Sequence, residues 1–215
     1  ASETASQIVA HSHIFGKYRV LHEIAVAYAK KGKLPDAQKA VLKIVDNDYL
    51  VGQARLEIVD VLIESSDMKN ARQVADQIKD DRIWIDAICK IAVALAKAGN
   101  KTAAVQRFQE VIDFIEKSRL NISKHTDAGT FAKHYFEKEL RMVIIAQAKA
   151  GLTEDVLKTV ELFKAAGFND VPTQAIAFAQ IENADLPTAL SIARAAVPES
   201  DAQTLYKAII TQLIK

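Results

Sequence analysis

The sequence predicts an all-α protein built from repeated helix pairs, and three observations predict it. The first is a recurring phrase: Ala29-Lys30-Lys31-Gly32, Ala96-Lys97-Ala98-Gly99 and Ala148-Lys149-Ala150-Gly151, with Ser66 between the first two and Ala184 after the last. Successive markers are 34, 33, 52 and 33 residues apart. The second is helical spacing of apolar residues on both sides of each marker. The third is composition: 215 residues contain only 7 Gly and 4 Pro, too few for the many tight turns of a β protein. No stretch alternates apolar and polar residues between turn signals, so no strand is placed.

Each unit reads as two helices. The first carries sets such as Leu21, Ile24, Ala25, Tyr28 and Ile88, Ile91, Ala92, Leu95. It stops at the marker, where Gly supplies a left-handed C-terminal cap. A short turn follows, and Pro35 and Pro187 sit where the next helix starts, their fixed φ suited to a first turn. The second helix carries Ala37, Ala40, Val41, Ile44, and again Ala71, Val74, Ala75, Ile78. Ala25, Ala92 and Ala177 let one backbone approach its antiparallel partner at Ala37, Ala104 and Ala189. A single pair cannot bury its apolar face alone, and stacked neighbours supply that burial.

The resulting division is a partial or capping repeat over about 1–16, repeats over about 17–48, 49–82 and 83–115, an insertion over about 116–134, repeats over about 135–168 and 169–200, and a terminal helix over 201–215. Ala5-Ser6-Gln7-Ile8-Val9 matches Ala71-Arg72-Gln73-Val74-Ala75. The chain is therefore expected to open inside a repeat, as part of a longer array, or to begin with a capping helix over 3–13. The long step of 52 residues locates the insertion. Within it Leu120 to Asp127 reads as a polar loop, and Thr126 or Asp127 caps a helix running through Phe131, Tyr135, Phe136, Leu140 and Val143. Those aromatics either pack onto a neighbouring helix or form an exposed partner patch of Phe131, Tyr135 and Phe136.

The pattern resembles the tetratricopeptide repeat, a helix–turn–helix of 34 residues. The matching positions are Ile24-Ala25, Tyr28, Gly32, Ala37, Val41, Ile44; then Ile58-Val59, Leu62, Ser66, Ala71, Ala75, Ile78; then Ile91-Ala92, Leu95, Gly99, Ala104, Phe108, Val111. Two later units follow as Val143-Ile144, Gln147, Gly151, Val156, Val160, Phe163 and Ile176-Ala177, Gln180, Ala184, Ala189, Ala193, Ala196. The family's early tryptophan is replaced by Leu21, Arg55, Ile88 and Leu140, and its closing proline by residues such as Tyr49. A related helical-hairpin array is the alternative. The resemblance implies a right-handed α-solenoid of five to six helix pairs.

In this family the first helices line a concave, partner-binding groove. Carried over residue by residue, that groove comprises Arg19, His22, Val26, Lys30, Leu56, Asp60, Val93, Lys97, Lys138, Arg141, Ile145, Lys149 and Phe178. An apolar stripe through Val26, Val93, Ile145 and Phe178 is flanked by a mild excess of cations, which suits an amphipathic helix or an extended peptide of some acidic character. Intramolecular packing is the competing reading of the stripe. The family's clamp for C-terminal carboxylates needs asparagine where Val26, Asp60 and Val93 stand, so it is not implied.

Catalytic and metal chemistry find little support. His11 and His13 would point about 200° apart on a helix, and no further ligand completes a set. Asp46-Asn47-Asp48 lacks the glycine and closing glutamate of a calcium loop and reads as an inter-helix turn. Cys89 lies inside a helix without a neighbouring histidine and reads as core. Asp80-Asp81 marks a helix end. No glycine-rich phosphate loop or nucleophile elbow occurs. The chain is expected to be non-catalytic, without cofactor or metal, a scaffold or adaptor that binds another protein. Two alternatives are an RNA-binding helical-repeat protein and a regulatory or assembly segment of a larger enzyme. With 28 Lys+Arg against 27 Asp+Glu, the near-neutral total argues against nucleic acid. No apolar run approaches the roughly 20 residues of a membrane span. A soluble protein without membrane insertion is expected, cytoplasmic, or periplasmic or secreted after loss of a presequence.

Overall fold

The computed structural model describes residues 16, 18–45, 47–123, 129–168, 170–195, 207–211 and 214, with the side chains of 121–123, 129–135 and 192–195 outside the description. All regular structure among the described residues is helical. The helices are α1 (18–30), α2 (Leu34–Val41), α3 (Asp48–Glu64), α4 (Met68–Ala75), α5 (Asp81–Lys97), α6 (Lys101–Ser123), α7 (Gly129–Lys149), α8 (Thr153–Ala165), α9 (Thr173–Glu182), α10 (Leu186–Ala195) and α11 (207–211). The expected opening helix, His11, His13, His125 and the cap at Thr126 or Asp127 lie outside the described residues.

The five markers close their helices in one way. Gly32, Ser66, Gly99, Gly151 and Ala184 have φ of 70°, 63°, 86°, 68° and 60°, the left-handed region. In each case the amide of the following residue donates back to the carbonyl five residues earlier: Lys33 to Tyr28 (2.9 Å), Asp67 to Leu62 (2.8 Å), Asn100 to Leu95 (2.9 Å), Leu152 to Gln147 (3.1 Å) and Asp185 to Gln180 (2.8 Å). This satisfies carbonyls that the helix end would otherwise leave without partners. The next helices begin with side-chain caps where the sequence offers them. Asp67 Oδ1 accepts from Asn70 N–H (3.2 Å), Asn100 Oδ1 from Ala103 N–H (3.2 Å), and Asp185 Oδ1 from Thr188 N–H (3.2 Å). Pro35 and Pro187 occupy the first turns of α2 and α10.

The chain divides into two compact units, Ala1–Ile88 and Cys89–Lys215. In the first, α3 packs against α2 and α4. Its core contains Ala25, Ala37, Ile58, Val59, Ala71 and Val74. A Cβ at Gly52 would lie 2.8 Å from Ile83 Cδ1, so glycine there permits the start of α5 to lie close against α3. Arg55 donates from its guanidinium to the Gln77 carbonyl (2.6 Å), fastening α3 to the chain leaving α4. In the second unit α7 packs against α6, α8 and α9, and α9 against α10. Ile209 of α11 joins Ala177, Ile181 and Ala189 in one buried cluster.

Of the expected polar loop, the described part, Leu120 to Ser123, is helical: α6 runs 23 residues, through Ser123, and α7, from Gly129, runs 21. The helical spacing of Val111, Ile115 and the residues beyond carries α6 on past the length of its counterparts.

Candidate partner-binding face

Each predicted groove residue can be placed within its own unit. In the first unit Arg19 is exposed and pairs with Glu23 (3.3 Å). His22 Nε2 lies 3.0 Å from Glu57 Oε1 but lacks the alignment of a hydrogen bond, so the contact becomes an ion pair only when the imidazole is protonated. Val26 and Leu56 are buried, at 9% and 8% exposure. Asp60 is half-buried and engaged in the fold. Lys30 is exposed. The apolar members of the expected groove are therefore core here, which corrects their assignment as contact residues. Cys89 is likewise buried.

In the second unit Val93 is half-buried and Lys97 exposed. A more coherent face lies on α7. Lys138 and Lys149 are exposed, and Met142 and Ile145 between them are half-buried. At 100° per residue these four positions fall on one stripe, with the two ammonium groups about 16 Å apart along the axis. Phe178, half-buried, occupies the neighbouring α9, where it also packs against the Ala177 cluster. Met142 escaped the sequence reading because the family pattern does not single out its position.

Arg141 and Phe136 are engaged within the fold. Arg141 uses its guanidinium in contacts inside the second unit. It donates to the Asp170 carbonyl (2.6 Å) and carboxylate (2.8 Å), lies 3.4 Å from Glu137, and sits 6.0 Å over the Phe163 ring. It fastens α7 to the chain leaving α8, as Arg55 does for α3 and α4. Phe136 is 2% exposed, so it is core and not part of an exposed aromatic patch. The side chains of Phe131 and Tyr135 lie outside the description.

The opposite side of the same helices holds two features that the sequence reading passed over. Gln147 on α7 and Gln180 on α9 take the slot filled by Tyr28, Leu62 and Leu95 in earlier units. Both are buried, at 2% and 1% exposure, and Gln147 Oε1 and Gln180 Nε2 have no hydrogen-bond partner. Each lines a cleft. One, of about 170 Å³, is open to solvent and lined by α6 and α8 on either side of Gln147; the other, of about 580 Å³, is likewise open and lined by α8, α9 and α10. The signal was present: an amide recurs where apolar side chains had stood.

Among the described residues no group of three or more His, Cys, Asp or Glu gathers as a metal site. No helix among them is long and apolar enough to cross a membrane. No family model matches the chain, and neither does any curated protein or solved structure.

Proposed function

We propose that the chain is a non-catalytic protein-binding module, a right-handed solenoid of helix pairs similar to the tetratricopeptide repeat. In this reading the α7 stripe receives an amphipathic helix or extended peptide with acidic residues. The observation that carries it is the pair of exposed lysines, Lys138 and Lys149, bracketing the half-buried Met142 and Ile145. Burying a partner's apolar side chains on the central pair would supply affinity, and the flanking ammonium groups would set register and association rate. The same left-handed closure at every marker supports the repeat reading.

A labelled helical peptide with leucines on one face and glutamates about 16 Å apart tests this by fluorescence anisotropy. Binding should weaken as salt rises. The double substitution Lys138→Glu, Lys149→Glu should weaken it about tenfold, while Arg19→Glu leaves it unchanged. Equal affinity of the double variant, with its circular dichroism intact, rejects the α7 face.

A further inference from the structure

Beside the α7 stripe, α9 carries a stripe of its own: Gln174 and Glu182 are exposed, and Phe178 between them is half-buried. Two ties hold α9 against α7. Arg141 of α7 donates to Asp170, just before α9 begins at Thr173. The Asn183 side-chain amide, just past the end of α9, donates to the Ala148 carbonyl in the last turn of α7 (2.7 Å). With the start of α9 tied to the middle of α7 and its end to the end of α7, the two helices run in the same direction. Lys149 follows Ala148 and Glu182 precedes Asn183, so these two charges stand side by side. Between the ties Ile145 lies level with Phe178. Gln147 and Gln180 both bury toward α8. Ile145 and Phe178, two residues earlier, point about 200° away from them. The two stripes therefore share one surface.

The charges on that surface are not symmetric. α7 supplies a cation at each end, Lys138 and Lys149. α9 supplies a carboxylate, Glu182, at the Lys149 end and the neutral Gln174 at the other. Asp170 also lies toward the Gln174 end, where Arg141 already holds its carboxylate at 2.8 Å. Glu182 and Lys149 are exposed, and neither forms an ion pair with a described residue. A helix lying along the surface thus meets cations on its α7 side and one unmatched anion on its α9 side, at one end only.

We propose that the partner is an amphipathic helix with two unlike flanks, carboxylates along the flank toward α7 and a single cation on the flank toward α9, at the end that meets Glu182. This rests on the α7 reading and extends it to α9. Phe178 joins Met142 and Ile145 beneath the partner's apolar face. Glu182 is then the specificity residue that decides which way round the helix lies, because a cation at the other end meets only Gln174.

The test uses labelled helical peptides and fluorescence anisotropy. The parent peptide has leucines on one face, two glutamates about 16 Å apart on one flank, and glutamine at both ends of the other flank. Two variants carry lysine in place of one glutamine or the other. One lysine peptide should bind about threefold more tightly than the parent, and its positional isomer no more tightly. The gain should shrink as salt rises. Glu182→Gln should abolish it, and Glu182→Lys should turn it into a preference of similar size for glutamate at that position. Gln174→Glu should give the isomer a gain of its own. Both substituted side chains are exposed, so the fold accepts the changes. The proposal is overturned if the two lysine peptides gain alike, if neither gains, or if Glu182→Lys keeps the preference for lysine. A parent peptide that binds without any lysine preference overturns the Glu182 assignment alone, whereas failure of all the peptides to bind overturns the α7 reading and this one with it.

Discussion

Two of the marker residues hold an L side chain in the left-handed region, Ser66 at φ 63° and Ala184 at φ 60°. That conformation costs an L residue about 1–2 kcal/mol, part of which glycine would return as unfolded-state entropy. Ala184→Gly should therefore raise stability by about 0.5–1 kcal/mol, read from the denaturant midpoint. Gly99→Ala should lower it by about 1 kcal/mol, through the backbone alone, because no atom lies within 4 Å of the added Cβ. These positions were legible in the sequence through the period, not through residue type. Two carboxylates set opposite pH dependences. Asp67 has its pKa lowered, first by the hydrogen bond from the Asn70 side chain and then by that from its backbone. Its contribution is present above the unfolded carboxyl range and is lost as pH falls through the folded value. Asp67→Ala should lower the melting temperature at neutral pH, and the gap to the parent should narrow on acidification. Asp81 has its pKa raised, by burial and then by the neighbouring Asp80. Its ionised form opposes folding, a penalty present above the folded pKa and relieved as pH falls through it. Asp81→Asn should thus stabilise at neutral pH, with the gain fading in acid.

At the scale of the helix, the helical class and the caps at the markers were legible in the sequence, whereas the burial of Val26 and Leu56 follows the competing reading of intramolecular packing. Val26 and Leu56 satisfy a repeat template as contact positions, yet helical period alone does not say which of two apolar stripes a neighbour covers. Phe136 follows the packing alternative, buried in the core instead of standing in an exposed patch. Arg141 was read as a groove cation because its partner, Asp170, lies 29 residues away and belongs to a turn that no local pattern reveals. With main-chain and carboxylate acceptors both engaged, Arg141→Ala should cost about 1.5 kcal/mol, allowing for its partial exposure. Arg141→Lys should recover only part of this, because a single ammonium cannot reproduce the guanidinium's fork. Thermal unfolding of the two variants checks the ordering. The helix class of α6 was legible and its length was not, since Leu120-Asn121-Ile122-Ser123 is polar enough to read as loop while its end carries no glycine or proline to stop it.

For the whole molecule, balanced charge excludes more than it identifies. With a formal net charge of +1, the chain has no sequence-wide basic excess with which to displace counterions from a phosphate backbone. Single-stranded RNA oligonucleotides should accordingly show no salt-dependent affinity at physiological ionic strength, as measured by filter retention; a steep negative slope against salt would restore the nucleic-acid reading. The left-handed turns carry a further consequence, one of stereochemistry. A backbone that visits the mirror-image region at successive helix ends has, at each such point, a site where a D-amino acid suits the chain better than an L one. Semisynthetic chains with D-alanine at 99 or 184 should keep every helix pair. They would also be shielded from proteases, which require L residues at the bond they cut, at the exposed turns that join the helices.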